Sequence, residues 1–364
     1  MAGSIFGKWF RVTTWGESHG AAVGAVVDGV PAGIPLSAED VQAFLDRRKP
    51  GQSKYTTARK EADIVEILSG VFEGQTTGTP VSFLVRNADH RSADYSNIRD
   101  IFRPGRADYT FFEKYGIRDY RGGGRSSARE TIGRVAAGAV ASKLLSELGI
   151  RLLAYTRSIG PHEISHVNVA EMQENPLYMP DAKAARHAQE YIDFALSEND
   201  SVGGVVECVV KGVPAGLGEP VFDKLDANLA KAMLSIGAAK GFEIGDGFAA
   251  TRHRGSENND PFAMEDGTVK KQTNHSGGVL GGMSDGSDIS FRVAFKPTPS
   301  IARQQQTVTK DGEDTTVEIH GRHDPVIVPR AVVVVESMAA LVLADAVLEN
   351  MTAKMDYLKR IYTG

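Results

Sequence analysis

The stretch VDGVPAG at residues 27–33 returns as VKGVPAG at residues 210–216, 183 positions later in a chain of 364. Each copy follows a β-branched, glycine-dotted run, GAAVGAVV or SVGGVVECVV, whose composition reads as a strand. Each precedes a segment of helical period, LSAEDVQAFLDRRK or FDKLDANLAKAML. Further echoes keep the same order: EILSG at 66–70 and EIGDG at 243–247, then TGTPVSFLV at 77–85 and DGSDISFRV at 285–293. Gly124-Arg125 and Gly321-Arg322 follow, each leading into a long apolar helix. One such pair could arise by chance, but several in one order predict a duplicated frame. The expected fold is α+β with pseudo-twofold β-α architecture, a single domain over 1–364 with internal repeats of roughly 1–182 and 183–364. The helices of both halves would pack together with the sheets outside them, and a site would lie where the halves meet.

Two segments read as insertions into this frame. Residues 251–274 are polar and charged, as expected of a lid or an ordinary exposed loop. Residues 304–319 resemble a hairpin turning at Asp311-Gly312.

The chain carries 41 basic and 46 acidic residues, a formal charge of −5, which argues against duplex-scale nucleic-acid binding. Its single cysteine, Cys208, excludes an internal disulfide and argues against thiolate zinc, so a reducing, cytoplasmic setting is expected. The N-terminus lacks a continuous apolar region, and the run AVVVVESMAALVLADAVL is interrupted by Glu336 and Asp345; neither a leader nor a membrane span is expected. No metal-ligand motif stands out.

Against that acidic background, RGGGRSSARET at residues 121–131 concentrates fixed positive charge. Ser127 and Glu130 have capping-box spacing before an apolar segment that ends near Gly149, so a helix is expected to start at the serines. Its N-terminal amides, with Arg121, Arg125 and Arg129, would converge on one anion. Further basic residues gather as Arg47, Arg48 and Lys49, as Arg103 and Arg106, and as Arg322, at matching junctions of the repeat. Guanidinium groups in that number suit a small molecule with several carboxylates or phosphates.

GESHG at residues 16–20 fits the G-x-S-x-G pattern of a hydrolase elbow, but it stands too early in the chain and precedes a strand rather than a helix. His19 is better placed in a strand-to-strand turn beside Ser18, as a proton donor to something anionic or as a buried, merely hydrogen-bonded histidine. His323 and Asp324 follow Arg322, KPTPS at 296–300 closes a strand, and SGGVLGGMSDG from Ser276 offers backbone access to a flat ligand.

GESHGAAVGAVVDGVPAG at 16–33, GRSSARETIGRVAAG at 124–138 and RHDPVIVPRAVVVVESM at 322–338 each resemble a signature of the chorismate synthase family, in its order and spacing. The likeness runs through nearly the whole chain. It implies conversion of 5-enolpyruvylshikimate 3-phosphate to chorismate, the last step of the shikimate pathway, by 1,4-anti elimination of phosphate and a C6 hydrogen, with reduced FMN but no net redox change. By the same resemblance His19 would protonate the departing phosphate. Ser18, Arg48, Arg129 and Arg322 would hold substrate anions, and Asp324 would assist hydrogen removal at C6 by way of flavin N5. Arg125, Ser126, Ser127, Gly237, Ala238, Gly281, Lys296, Pro297, Thr298, Pro299, Ser300 and Arg322 match positions that contact FMN. Family members form homotetramers with a helical layer between antiparallel sheets.

Two positions depart from the family pattern. Arg106 stands where members usually carry a histidine near the flavin, which implies retained binding with slowed turnover, or a catalytically impaired homologue. Lys54 stands where many have arginine, in a stretch that, with Arg48, is linked to NADPH use. The chain length resembles members supplied by an external flavin reductase.

Overall fold

Val23, Ala25 and Val27, and Val206, Cys208 and Val210, are buried at every second position, so each GVPAG strand turns one face into the core. The structure is a computed structural model and describes residues 3–56, 62–88, 97–321 and 323–364. The first part runs β1 (Ile5–Phe6), β2 (Arg11–Gly16), β3 (Ala22–Asp28), α1 (Ala38–Arg48), β4 (Val65–Ser69), the short pair β5 (Val71–Phe72) and β6 (Gln75–Thr76), β7 (Val81–Arg86), α2 (Asp108–Tyr115) and α3 (Thr131–Glu147). There follow β8 (Arg151–Ile159), β9 (His162–Glu163), α4 (Val169–Gln173), α5 (Ala182–Ser197), β10 (Gly204–Lys211), α6 (Leu225–Leu234) and β11 (Ala239–Ile244). The remainder comprises α7 (Gly255–Asn258), hairpins β12 (Phe262–Glu265) with β13 (Thr268–Lys271) and β14 (Val279–Leu280) with β15 (Met283–Ser284), β16 (Ile289–Phe295), hairpin β17 (Gln305–Val308) with β18 (Asp314–Val317), α8 (Val328–Glu349) and α9 (Met355–Tyr362).

The two main sheets are antiparallel and ordered β1-β2-β3-β7-β4 and β9-β8-β10-β16-β11. Strands β2, β3, β7 and β4 of the first therefore occupy the places of β8, β10, β16 and β11 in the second. The expected division near residue 182 needs correction, because β8 already pairs in the second sheet from Arg151. The spacing of the GVPAG turns hid this: α4 and α5 lie between β8 and β10, where the first sheet has only the short GESHG turn.

The helices lie between the sheets: α3 packs on β2, β3 and β7, α8 on β8 and β10, and the two helices pack on each other, flanked by α1 and α6. A helix enclosed this way must be largely apolar all round, and α8 is buried from Val328 through Ala344 except at Arg330. It is long and apolar enough to cross a membrane, but most of that length is enclosed in protein. Each Val or Leu so covered contributes roughly 1.5–3 kcal/mol. Helices α3 and α8 cross tightly at Gly138, where an added Cβ would stand 2.3 Å from Cβ of Ser337.

Both expected insertions are ordered. Segment 251–274 contains α7 and the hairpin β12–β13, anchored by Lys271, whose buried ammonium reaches Asp285 at 2.7 Å and Asp260 at 3.3 Å. A buried ion pair at its root, Lys271 with Asp285, ties it to the body of the protein. Residues 305–317 form the hairpin the sequence suggested.

Candidate active site

The GESHG turn joins β2 to β3 at the edge of the helical layer, and both Ser18 and His19 are buried. Ser18 Oγ lies 3.2 Å from His19 Nδ1. The side-chain amide of Asn87 donates to Glu17 O at 2.8 Å and Gly20 O at 2.7 Å, so the turn is held from both ends. Backbone closes over it: a Cβ at Gly122 would stand 2.6 Å from His19 Nδ1 and 2.9 Å from Ser18 Oγ, which explains the glycine at that position.

The expected capping box at Ser127 and Glu130 is not formed. Ser127 caps a 3-10 turn, accepting from Arg129 N, and α3 begins only at Thr131. Glu130 accepts instead from Thr14 Oγ1 at 2.8 Å and Arg134 Nε at 2.8 Å. The cations pull Glu130 away from the serine, so the local capping motif yields to tertiary charge pairing.

These pieces open onto a cavity of about 480 Å³ lined from both halves, within the range of small-molecule sites. Ser18, His19, Arg48, Arg106, Arg125, Ser126, Ser127 and Arg129 line it from one side. Gly237, Ala238, Lys296, Thr298, Pro299, His323 and Asp324 line it from the other. The N-terminal turns of α3 and α8 both reach it, at Thr131 and Arg134 and at Arg330 and Ala331, so two positive dipole ends face one space.

Most of the guanidinium groups are gripped by the wall. Asp63, wholly buried, gives one carboxylate oxygen to Arg48 Nη1 at 3.0 Å and the other to Arg129 Nη1 at 2.9 Å. Arg48 Nε donates to Thr131 Oγ1 at 2.9 Å, and Arg129 Nε donates to Asn87 Oδ1. Arg125 spans to Gly16 O at 3.1 Å and to Thr14 O at 3.0 Å. Arg106 donates from Nε at 3.0 Å and Nη2 at 2.7 Å to Ser300 Oγ. Arg103 forks onto Asp108, two bonds of 2.8 Å; burial opposes ionisation of that carboxyl, but Arg103 and Arg118 outweigh it and hold it below its ordinary range. Burial, then Lys240 and Arg106, depresses the Lys296 ammonium below its usual value. Arg330 bridges the halves, donating to Asp324 Oδ2 at 2.6 Å and to Arg48 O at 2.8 Å.

Several expected positions lie elsewhere. Arg121 pairs with Asp119 at the surface, 2.7 Å, and does not join Arg125 and Arg129. Gly281 sits exposed in the β14–β15 turn, away from the cavity. Pro297 is turned to solvent, and Ser300 meets Arg106 rather than the cavity surface. Lys54 is exposed, 3.3 Å from Asp193 and over the Tyr55 ring. Arg322 falls outside the described residues. Asp63, Asn87 and Arg134 were not singled out by the sequence, and no local motif marks the first two. Arg330 had a signal: a cation in the first turn of an apolar helix, against the dipole.

The fold also gathers groups the sequence did not suggest, Asp246 with His253 and His275, and His166 with Glu171 and Asp181. The second is a capping network: Asp181 accepts from Ala184 N and Ser165 N, and Glu171 from Ala182 N. In the first, Asp246 Oδ2 already meets His275 Nδ1 at 2.6 Å.

A family model described as chorismate synthase matches residues 10–348. The chain belongs to the chorismate synthase family. It is accordingly an enzyme, a carbon–oxygen lyase acting on phosphate. Chorismate synthase of Agathobacter rectalis is 65% identical over 100% of this chain and 99% of its own. That of Lachnoclostridium phytofermentans is 62% identical over all of both chains, and that of Methanosarcina mazei 58% identical over 96% and 97%. A crystal structure of chorismate synthase superimposes with a TM-score of 0.77 at 34% identity, covering 98% of this chain and 97% of the other. The α+β architecture, helices between antiparallel sheets, is thus a family property.

Proposed function

We propose that the cavity binds 5-enolpyruvylshikimate 3-phosphate beside reduced FMN and eliminates phosphate and the C6 hydrogen in 1,4-anti fashion to give chorismate. The observation that carries this reading is a buried histidine on a fixed turn, facing a cavity walled by Arg48, Arg106, Arg125 and Arg129. A substrate with two carboxylates and a phosphate, together with a flavin phosphate, matches that donor set. The wall is suited to a flat ring as well, because nothing lies within 4 Å of where a side chain at Gly237 would begin.

In this reading Ser18, Arg48, Arg129 and Arg322 hold substrate anions, while Arg125, Ser126, Ser127, Gly237, Ala238, Lys296, Thr298 and Pro299 hold FMN. Gly281, Pro297 and Ser300 lie off the cavity surface, so the FMN contacts proposed for them would be indirect. His19 gives a proton to the phosphate as the C–O bond breaks and its electron pair departs with the leaving group. Asp324, oriented by Arg330, assists loss of the C6 proton while the new double bond forms, so oxidation states balance. Reduced FMN, when bound, supplies an electron that eases phosphate departure and is regained as the C6 hydrogen leaves.

The test is an anaerobic assay with chemically reduced FMN that follows chorismate and phosphate together. Equal yields only with reduced flavin are expected, and His19→Ala should lower kcat by about 10²–10⁴-fold. Substrate binding without either product would overturn the reading.

We further propose a cytoplasmic homotetramer that takes reduced flavin from an external flavin reductase; the alternative is intrinsic reduction, in which NADPH would bind near Arg48 and Lys54. Exposed Phe222, Phe248, Ile361 and Tyr362 support assembly; light scattering at the mass of a single chain would refute it. A second reading, impaired turnover, is favoured by Arg106, which lines the cavity but stays protonated and cannot exchange a proton near neutrality. Arg106→His should then raise kcat several-fold, and an unchanged kcat removes this reading.

A further inference from the structure

Asn87 follows directly on β7 and is not a lining residue, yet its side chain joins two elements that are. Its amide nitrogen donates to the carbonyls of Glu17 and Gly20, which bracket Ser18 and His19. Its amide oxygen accepts from Arg129 Nε. Its backbone N–H donates to Ala21 O at 3.1 Å, fixing it in line with the start of β3. Beyond Arg129 the chain continues through Asp63 to Arg48. An amide carries two N–H donors and an acceptor oxygen in one planar group, so it can serve two carbonyls and a guanidinium together. An aspartate here would keep the bond to Arg129 but turn an oxygen toward the two carbonyls.

We infer that Asn87 is a positioning residue that fixes His19 relative to Arg129, so that the proton donor and the anion clamp address the same group. The inference rests on the reading of His19 as the proton donor. Holding reacting groups within about 1 Å of the productive geometry is worth on the order of 10²-fold in rate, so the effect should fall on kcat.

The experiment is a double-mutant cycle of Asn87→Asp with His19→Ala, measured anaerobically with reduced FMN, with melting curves on every variant. Asn87→Asp is expected to lower kcat about 10- to 100-fold while KM moves less than about 3-fold, because the bond to Arg129 persists. In the His19→Ala background the same change should cost less than about 3-fold, since residues that act as a unit are non-additive. If Asn87→Asp does not fold, Asn87→Ser enters the same cycle, with a similar fall in kcat and a several-fold rise in KM. An equal fall in both backgrounds, or a higher KM at unchanged kcat, overturns the inference. Wild-type turnover in His19→Ala alone would instead sink the reading beneath it, so the two failures are separable.

Discussion

Helix α1 runs into Arg47, Arg48 and Lys49, whereas α6, at the corresponding place after the second GVPAG turn, runs into Ser235, Ile236, Gly237 and Ala238. Before α3 stand Arg125 and Arg129; before α8 stand His323 and Asp324. Between β2 and β3 lies a five-residue turn bearing His19, and between β8 and β10 an excursion with two helices and no cavity residue. The same frame thus delivers junctions to one cavity from both sides, but the first half supplies most of the fixed cations and the second most of the flat or apolar wall, including Ile236, Phe295 and Ile327. Strand order decides where a site is; junction residues decide what it can hold.

The comparison breaks most severely at Arg129. Arg129→Ala deprives Asp63 of one of its two partners and removes a buried charge from the cavity wall, so KM should rise about 10²-fold, in keeping with the loss of a desolvated charge pair. Ser235→Ala at the opposite junction should change KM less than about 3-fold by the same steady-state assay. Comparable effects at the two sites would erase the distinction.

A smaller effect concerns the excursion peculiar to the second half. Asp181 caps α5, accepting from Ala184 N at 3.1 Å. Burial opposes its ionisation, but hydrogen bonds from Ser165 and Ala184 prevail and hold the carboxyl at about 2, against an ordinary 3.8. A depressed carboxyl contributes stability above its unfolded value that is lost as pH falls toward 2. Asp181→Ala should therefore cost about 1 kcal/mol at neutral pH, flatten the urea-midpoint profile between about pH 4 and pH 2, and leave kcat unchanged. The smallest effect is at Lys54: exposed and paired to the surface, its alanine variant should alter kcat with supplied reduced flavin by less than about 2-fold. A tenfold loss would move it into the site.

Much of this was legible in the chain. The recurrence of GVPAG, with strand before and helix after, carried the paired sheets and the inner helices because period and turn chemistry are local properties. The cavity's cations at 48, 106, 125 and 129 were legible as charge out of keeping with an acidic chain. Asp63 was not, because a carboxylate in KEADIVEIL has no local mark; its role arises from burial between two arginines distant in sequence. Asn87 was hidden for the same reason. Arg121 misled because spacing near Arg125 says nothing about which way a glycine-flexed backbone turns, and Asp119 was the nearer partner. The Ser127–Glu130 cap failed where a local motif competed with Arg134 and lost.

The crossing of α3 and α8 at Gly138 and Ser337 carries a consequence for inheritance. Gly138 lies about two turns into α3, remote from the reacting atoms, yet no methyl fits there without moving Ser337. Two copies of a motif within one chain ordinarily accumulate changes separately; at this point they have to drift together. A chimera joining the first half of one relative to the second half of another, cut between α3 and β8, would fold only if both sides of the crossing remain small.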